Sequence, residues 1–176
     1  MFNGDFMEDS TDAVSDTGPL LHLKEIDCIE VCNVFTRILI PPDVAEELRK
    51  NSCPVPQRIK ILSVRPERKD TVRILTDQHS LDVGEASAIT LALQEKVRYF
   101  LTDDLDARTV AKTYALEVHG TIGLVLRAFR KNIINKKNAL KKVDELYSKS
   151  SLFITKDLIG QVQNEIQIFS EKKPKF

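Results

Sequence analysis

Apolar residues in this chain come in short runs separated by amphipathic stretches, and the alternation persists to the C-terminus. Ala13-Val14-Ser15 is a short buried-type run leading into Asp16. Thr17-Gly18-Pro19 turns the chain, and Leu20, Leu21, Leu23 and Ile26 then recur at helical spacing. Arg37-Ile38-Leu39-Ile40 predicts a second strand ended by Pro41-Pro42. Those prolines suit the first turn of a helix carrying Val44, Glu46, Glu47 and Leu48. The pattern weakens between Asn51 and His79, where 59–64 reads as an edge strand and 71–76 as a short helix or strand. Ala86, Ala88, Ile89, Leu91, Ala92 and Leu93 predict a helix apolar on more than one side, hence buried. Tyr99-Phe100-Leu101-Thr102 predicts a third strand delivering Asp103 and Asp104 to a helix whose inner face is Ala107, Val110, Ala111 and Tyr114. Glu117-Val118-His119 is a brief strand, Gly120-Thr121-Ile122-Gly123 leads into an apolar helix over 124–129, and helices over 136–147 and 156–169 follow. Strands alternating with helices predict an α/β/α sandwich, three layers around a mainly parallel sheet, with extra C-terminal helices. The expected divisions are a flexible 1–11, a core over 12–132 and a helical extension over 133–170 packed on it.

Composition narrows the function classes. A chain of 176 residues with 42% hydrophobic and 30% charged residues suits one domain with an ordinary core. Lys plus Arg and Asp plus Glu both number 26, so the net charge is zero and bulk-charge coating of nucleic acid is excluded. Any such contact must use a local basic patch. Cys28, Cys32 and Cys53 form no closed disulfide set, and His22, His79 and His119 are scattered without zinc-site spacing. Cys28 and Cys32 would share a helical face, but the other ligands are missing, so incidental thiols are expected. A reducing, cytoplasmic location follows as an expectation. The start, MFNGDFMEDSTD, lacks a signal-peptide pattern, and no apolar run approaches membrane-spanning length.

The acids carry the candidate chemistry. Asp16 follows the first strand, Glu46-Glu47 the second and Asp103-Asp104 the third, while Glu85 sits in the first turn of the apolar helix. In a parallel sheet the carboxyl ends of all strands lie along one edge, where open α/β proteins bind ligands. Carboxylates packed together there repel one another unless cations neutralise them. Oxygen donors without His or Cys favour Mg²⁺ or Mn²⁺, and such ions suit phosphodiester hydrolysis. Each acid also has a local explanation. Asp16 is placed to cap the helix after it, Asp82 and Glu85 have capping-box spacing, and the others lie near helix starts that favour negative charge. Capping does not explain why acids follow every clear strand.

At these residues the chain resembles the PIN-domain family. The matching pieces are Val14-Ser15-Asp16-Thr17-Gly18-Pro19-Leu20, Ile40-Pro41-Pro42-Asp43-Val44-Ala45-Glu46-Glu47-Leu48 and Leu81-Asp82-Val83-Gly84-Glu85-Ala86. Leu101-Thr102-Asp103-Asp104-Leu105-Asp106-Ala107-Arg108 and Val118-His119-Gly120-Thr121-Ile122-Gly123-Leu124 complete the series. The nearest branch is archaeal and bacterial, VapC-like, and related to the ribonuclease toxins of toxin–antitoxin pairs. The resemblance implies a PIN-like sandwich and a Mg²⁺- or Mn²⁺-dependent endoribonuclease of single-stranded RNA, leaving a 5′-phosphate and a 3′-hydroxyl. Asp16, Glu47, Glu85 and Asp104 match the family acids, with Asp103 an alternate to Asp104 and Glu47 a better match than Glu46. Asp16, Glu85, Asp104 and Asp103 are the expected metal ligands. Thr17 and Thr102 are expected to orient carboxylates or water. Partners implied are RNA, an antitoxin protein and a second copy of the chain, through helices around 20–35 or the C-terminal extension.

Basic residues leave alternatives open. Arg108 lies four positions after Asp104, which fits either a local ion pair or a cation on the substrate phosphate. Lys136, Lys137, Lys141 and Lys142 predict a solvated helical face, and Arg65, Arg68, Lys69 and Arg73 a candidate RNA path. Few aromatics accompany either cluster, which argues against base stacking there. A catalytically silent module binding protein or RNA is the competing reading. A Rossmann-type nucleotide binder is excluded because no glycine-rich phosphate loop follows the first strand.

Overall fold

The strand most enclosed by the molecule is the first. In the computed structural model, which describes residues 11–172, β1 (Asp12–Ser15) is buried at every position. A strand covered on both faces must be apolar throughout, and Ala13 and Val14 are fully inaccessible. It pairs in parallel with β2 (Arg37–Ile40) on one side and β4 (Tyr99–Leu101) on the other. β3 (Ile59–Ile61) and β5 (Glu117–His119) complete a five-stranded parallel sheet in the order β3-β2-β1-β4-β5. The expected flexible 1–11 falls, Thr11 apart, outside the described residues.

The helices are α1 (Thr17–Glu25), α2 (Pro42–Lys50), α3 (Lys69–His79), α4 (Val83–Gln94), α5 (Leu105–Thr113), α6 (Thr121–Arg130), α7 (Lys136–Lys149) and α8 (Lys156–Lys172). They flank the sheet to give the α/β/α sandwich of a PIN-like fold. α4 packs on β1 and β4 with α2, α3 and α5 as neighbours, while α1 packs with α2 and α6. Ala86, Ala88, Ile89, Leu91 and Ala92 are fully buried, which accounts for a helix with almost no polar side.

The weakly patterned middle resolves into two elements. β3 stops at Ile61, short of residue 64, because an edge strand has only β2 to pair with; Leu62 N–H still donates to the Ile40 carbonyl. The stretch 71–76 lies within the longer α3, which packs along α4 and ends at Ser80 in the left-handed region, φ 56°. Cys28 and Cys32 do not share a helical face. Cys28 precedes a 3₁₀ segment (Ile29–Val34), and it is buried while Cys32 is half-buried. Burial pushes both thiols up to about 12, so neither is poised to react.

α7 and α8 bury Ala139, Val143, Leu146, Ile159, Val162 and Ile166. Phe169 meets Phe129 of α6 edge-on at 5.5 Å. The basic face expected on α7 is only partly solvated. Lys142 turns inward and donates to the Ile26 and Asp27 carbonyls and to Glu145, at 2.6, 3.2 and 3.0 Å. Of the apolar stripe over residues 20–35, Leu20, Leu23, Val31 and Val34 are buried within the chain, while Leu21, Ile29 and Cys32 are half-buried. Among the described residues no helix is long and apolar enough to cross a membrane.

Candidate active site

The chain leaves β1 towards β2 and later returns to β1's other side as β4, so the strand order reverses between β1 and β4. At such a reversal the loops beyond the carboxyl ends diverge and open a crevice. The register pairs Ser15 with Leu101, and the Asp16 N–H donates to the Leu101 carbonyl at 2.9 Å. Asp16 and Thr102 therefore stand side by side at the mouth, both buried. Thr102 Oγ1 donates to Asp16 Oδ2 at 3.3 Å and accepts from the Asp104 N–H at 3.1 Å.

Three helices begin here, and each has an aspartate at its N-cap: Asp16 for α1, Asp82 for α4 and Asp104 for α5. Exposed amide hydrogens at a helix start favour negative charge, which lets three acids sit close together. Asp82 Oδ1 accepts from the Glu85 N–H at 2.8 Å, and Glu85 Oε2 accepts from the Asp82 N–H at 2.9 Å, a complete capping box. Asp104 Oδ1 accepts from the Ala107 N–H at 2.8 Å. Glu47 comes from α2 and accepts a short hydrogen bond from Thr17 Oγ1. Its approach depends on Gly84, where a Cβ would stand 2.8 Å from Glu47 Oε1. Glu46 is turned away and ion-paired with Arg49.

Electrostatics register this crowding. Burial pushes Asp16 up from 3.8 to about 7, with Asp82 and Glu47 adding like-charge repulsion against the hydrogen bonds from Thr17 and Thr102. Glu85 rises to about 7 for the same first reason, with Asp82, Asp104 and Asp16 adding to it. Strongly shifted carboxylates gathered in a crevice mark a functional site more often than a structural one.

Asp103 does not face this group. Its Oδ1 accepts from the Thr121 N–H at 2.7 Å, and its Oδ2 contacts Thr121 Oγ1 and His22 Nδ1, the latter at 2.8 Å. Burial pushes its pKa up, but the His22 and Thr121 hydrogen bonds outweigh that and leave it below the ordinary carboxylate value. It ties the sheet edge to α1 and α6. Arg108 makes no ion pair with Asp104; it donates to the Thr102 carbonyl at 3.3 Å, and its buried Nε has no hydrogen-bond partner among the described residues. Asp82 is the site acid that sequence reasoning passed over, because its capping role explained it fully. The available signal was that a capping box headed an otherwise apolar helix.

The family model DUF3368, a PIN domain, matches residues 12–167. The chain belongs to the PIN-domain family. No curated protein and no solved structure matches it. The matched span runs past the expected core boundary at 132 and through most of α8. PIN domains are usually nucleases and generally use divalent metals. This PIN domain has donors of the right kind. Glu47, Asp82, Glu85 and Asp104 each spend one carboxylate oxygen on a local hydrogen bond and keep the other without a partner among the described residues. All are hard oxygen donors, with no His or Cys among them. Among the described residues no three such side chains are grouped closely enough to hold an ion.

Proposed function

We propose that this PIN domain is a Mg²⁺- or Mn²⁺-dependent endoribonuclease acting on single-stranded RNA. The observation that supports it best is the convergence, at the reversal between β1 and β4, of buried Asp16 with Glu47, Asp82, Glu85 and Asp104 from four separate parts of the chain. Asp16, Glu85, Asp104 and Asp82 are the residues assigned to hold the ion, with Glu47 beside them. A divalent ion bound there supplies positive charge and Lewis acidity for phosphodiester hydrolysis.

The chain's own groups do the rest. Thr102 and Thr17 fix the orientations of Asp16 and Glu47 through their hydroxyls. With pKa values raised to about 7, Asp16 and Glu85 are both fully charged only above neutrality. Arg108, without an ion-pair partner among the described residues, neutralises a phosphate of the substrate. The same proposal extends to a toxin role in the cytoplasm with an antitoxin protein as partner, supported by the motif resemblance alone.

The test is cleavage of an end-labelled, unstructured RNA by the purified chain with Mg²⁺, Mn²⁺ or EDTA. Cleavage is expected with either ion, absent in EDTA, and lost in Asp16→Asn and Asp104→Asn variants that melt as folded proteins. Cleavage retained by both variants would overturn the assignment. No cleavage by the unaltered chain, with no acid-dependent Mn²⁺ binding, would leave the silent binding module.

A further inference from the structure

Between α7 and α8 the chain turns Phe153 outward to 93% exposure, the highest among the large hydrophobic side chains described. Its backbone is anchored. Leu152 packs on the core, Ile154 is buried, and the Ser151 N–H and Oγ both donate to the Glu25 carboxylate at 2.7 and 2.8 Å. With half-buried Leu152 and buried Ile154 held against the core on either side of it, Phe153 is left facing water.

Phe153 shares a groove of about 510 Å³ with Leu105, Arg108, His119 and Gly120, and with the carboxylates Asp103 and Glu165. The groove begins one residue from Asp104, since Asp103 and Leu105 on either side of it both line it, Leu105 being 74% exposed. Arg108 lines it close to the Asp103 carboxylate, with no ion pair within 4 Å and a buried Nε without a hydrogen-bond partner among the described residues. Gly120 leaves Arg108 its room, since a Cβ would stand 2.7 Å from Nη2. An adjoining groove shares His119 and Gly123 and adds Arg127, Arg130 and Lys131. There Arg130 is ion-paired with Glu165 and Arg127 lies over the Phe35 and Tyr99 rings, so of these guanidinium groups Arg108 is the one with neither an ion pair nor a ring partner among the described residues.

We propose that this groove seats a nucleotide flanking the cleaved bond, its unpaired base stacked on Phe153 and its phosphate towards Arg108. The choice of ligand rests on the nuclease reading. A cation for a phosphate, a flat apolar face for a base and a start beside Asp104 match single-stranded nucleic acid. A duplex hides both faces of each base in its own stack and cannot use the ring. Because every base has such a face, the contact selects unpaired over paired strands and discriminates little among sequences.

The experiment measures binding in EDTA, apart from cleavage. The chain contains no tryptophan, so Phe153→Trp installs a single reporter on an exposed position. A short oligoadenylate is expected to quench it saturably. Phe153→Ala is expected to bind labelled oligoadenylate about ten-fold more weakly, with Phe153→Trp restoring affinity and duplex RNA affinity unchanged in both. Equal oligoadenylate affinity in Phe153→Ala and the unaltered chain overturns the proposal, as does no measurable binding. So does a Phe153→Ala effect confined to self-association in sedimentation, which would mark the ring as a protein contact. If the unaltered chain fails to cleave with Mn²⁺ yet oligoadenylate affinity depends on Phe153, the nuclease reading falls and the stacking site stands. Cleavage with Phe153-independent binding sinks the stacking site alone.

Discussion

Replacing Asp16 by asparagine should make the metal-free protein more stable while removing its activity. Asparagine keeps the shape and still accepts from Thr102, but it carries no charge to desolvate. Asp16 has a pKa of about 7 in the folded chain against 3.8 ordinarily. At about 1.4 kcal/mol for each unit of pKa difference, its ionised form costs the fold about 4 kcal/mol at pH 8 as a ceiling. The sign follows from a raised acid pKa. The native state binds the proton more tightly, so the favourable contribution is whole below about pH 4, decays as pH rises, and is gone above about pH 7. Asp16→Asn escapes that loss. With relaxation of the site, a gain of about 2 kcal/mol at pH 8 is the least expected, or roughly 4–8 °C in Tm for a chain of this size. The gain should shrink markedly by pH 5. Denaturant melts in EDTA at both pH values measure it, and RNA cleavage with Mn²⁺ is assayed in parallel. A variant no more stable than the parent at pH 8 would show that Asp16 is not held in an unfavourable charged environment, and the argument from crowding would fail.

Other outcomes follow from the same geometry. Mn²⁺ should raise the melting temperature of the unaltered chain more at pH 8 than at pH 6, because protons compete for the same carboxylates, and should do little for Asp16→Asn; equal shifts in both proteins would remove the site from this pocket. Gly84→Ala should lower cleavage at least ten-fold with a stability change under about 1 kcal/mol, since the new methyl group displaces the Glu47 carboxylate; full activity would separate Glu47 from the chemistry. Asp103→Asn should destabilise by about 2 kcal/mol through weakened hydrogen bonds to His22 and Thr121. That stability is present above the ordinary carboxylate pKa and is lost as pH falls through the lowered folded value, so parent and variant melts should converge in acid. Homodimerisation through the helices around residues 20–35 or the C-terminal extension is expected to appear in light scattering at tens of micromolar, and a strict monomer there would refute it.

Much of the fold was legible locally. Ala13-Val14, Arg37-Ile38-Leu39-Ile40 and Tyr99-Phe100-Leu101 are runs that only buried parallel strands can use, and the helix over 83–94 announced its burial by lacking a polar side. These follow from chain periodicity and the cost of exposing apolar surface, both properties of neighbouring residues. The stretch 51–79 was ambiguous for the converse reason. α3 fully buries only Leu75, so its helix owes its place to contact with α4 more than to a pattern of its own. The candidate acids Asp16, Glu47, Glu85 and Asp104 could be named in the sequence as residues following strands or opening a helix. Which of them meet was decided by strand order alone, because β1 and β4 are brought side by side across more than eighty intervening residues. Strand order also separated Asp103 from Asp104. Adjacent positions at a strand end point in different directions, and the first found His22 and Thr121 while the second capped α5. Phe153 shows the same division. A three-residue apolar run, Leu152-Phe153-Ile154, does not say which side chain faces out, and only packing of Leu152 and Ile154 against the core leaves the Phe153 ring exposed in the groove it shares with Arg108.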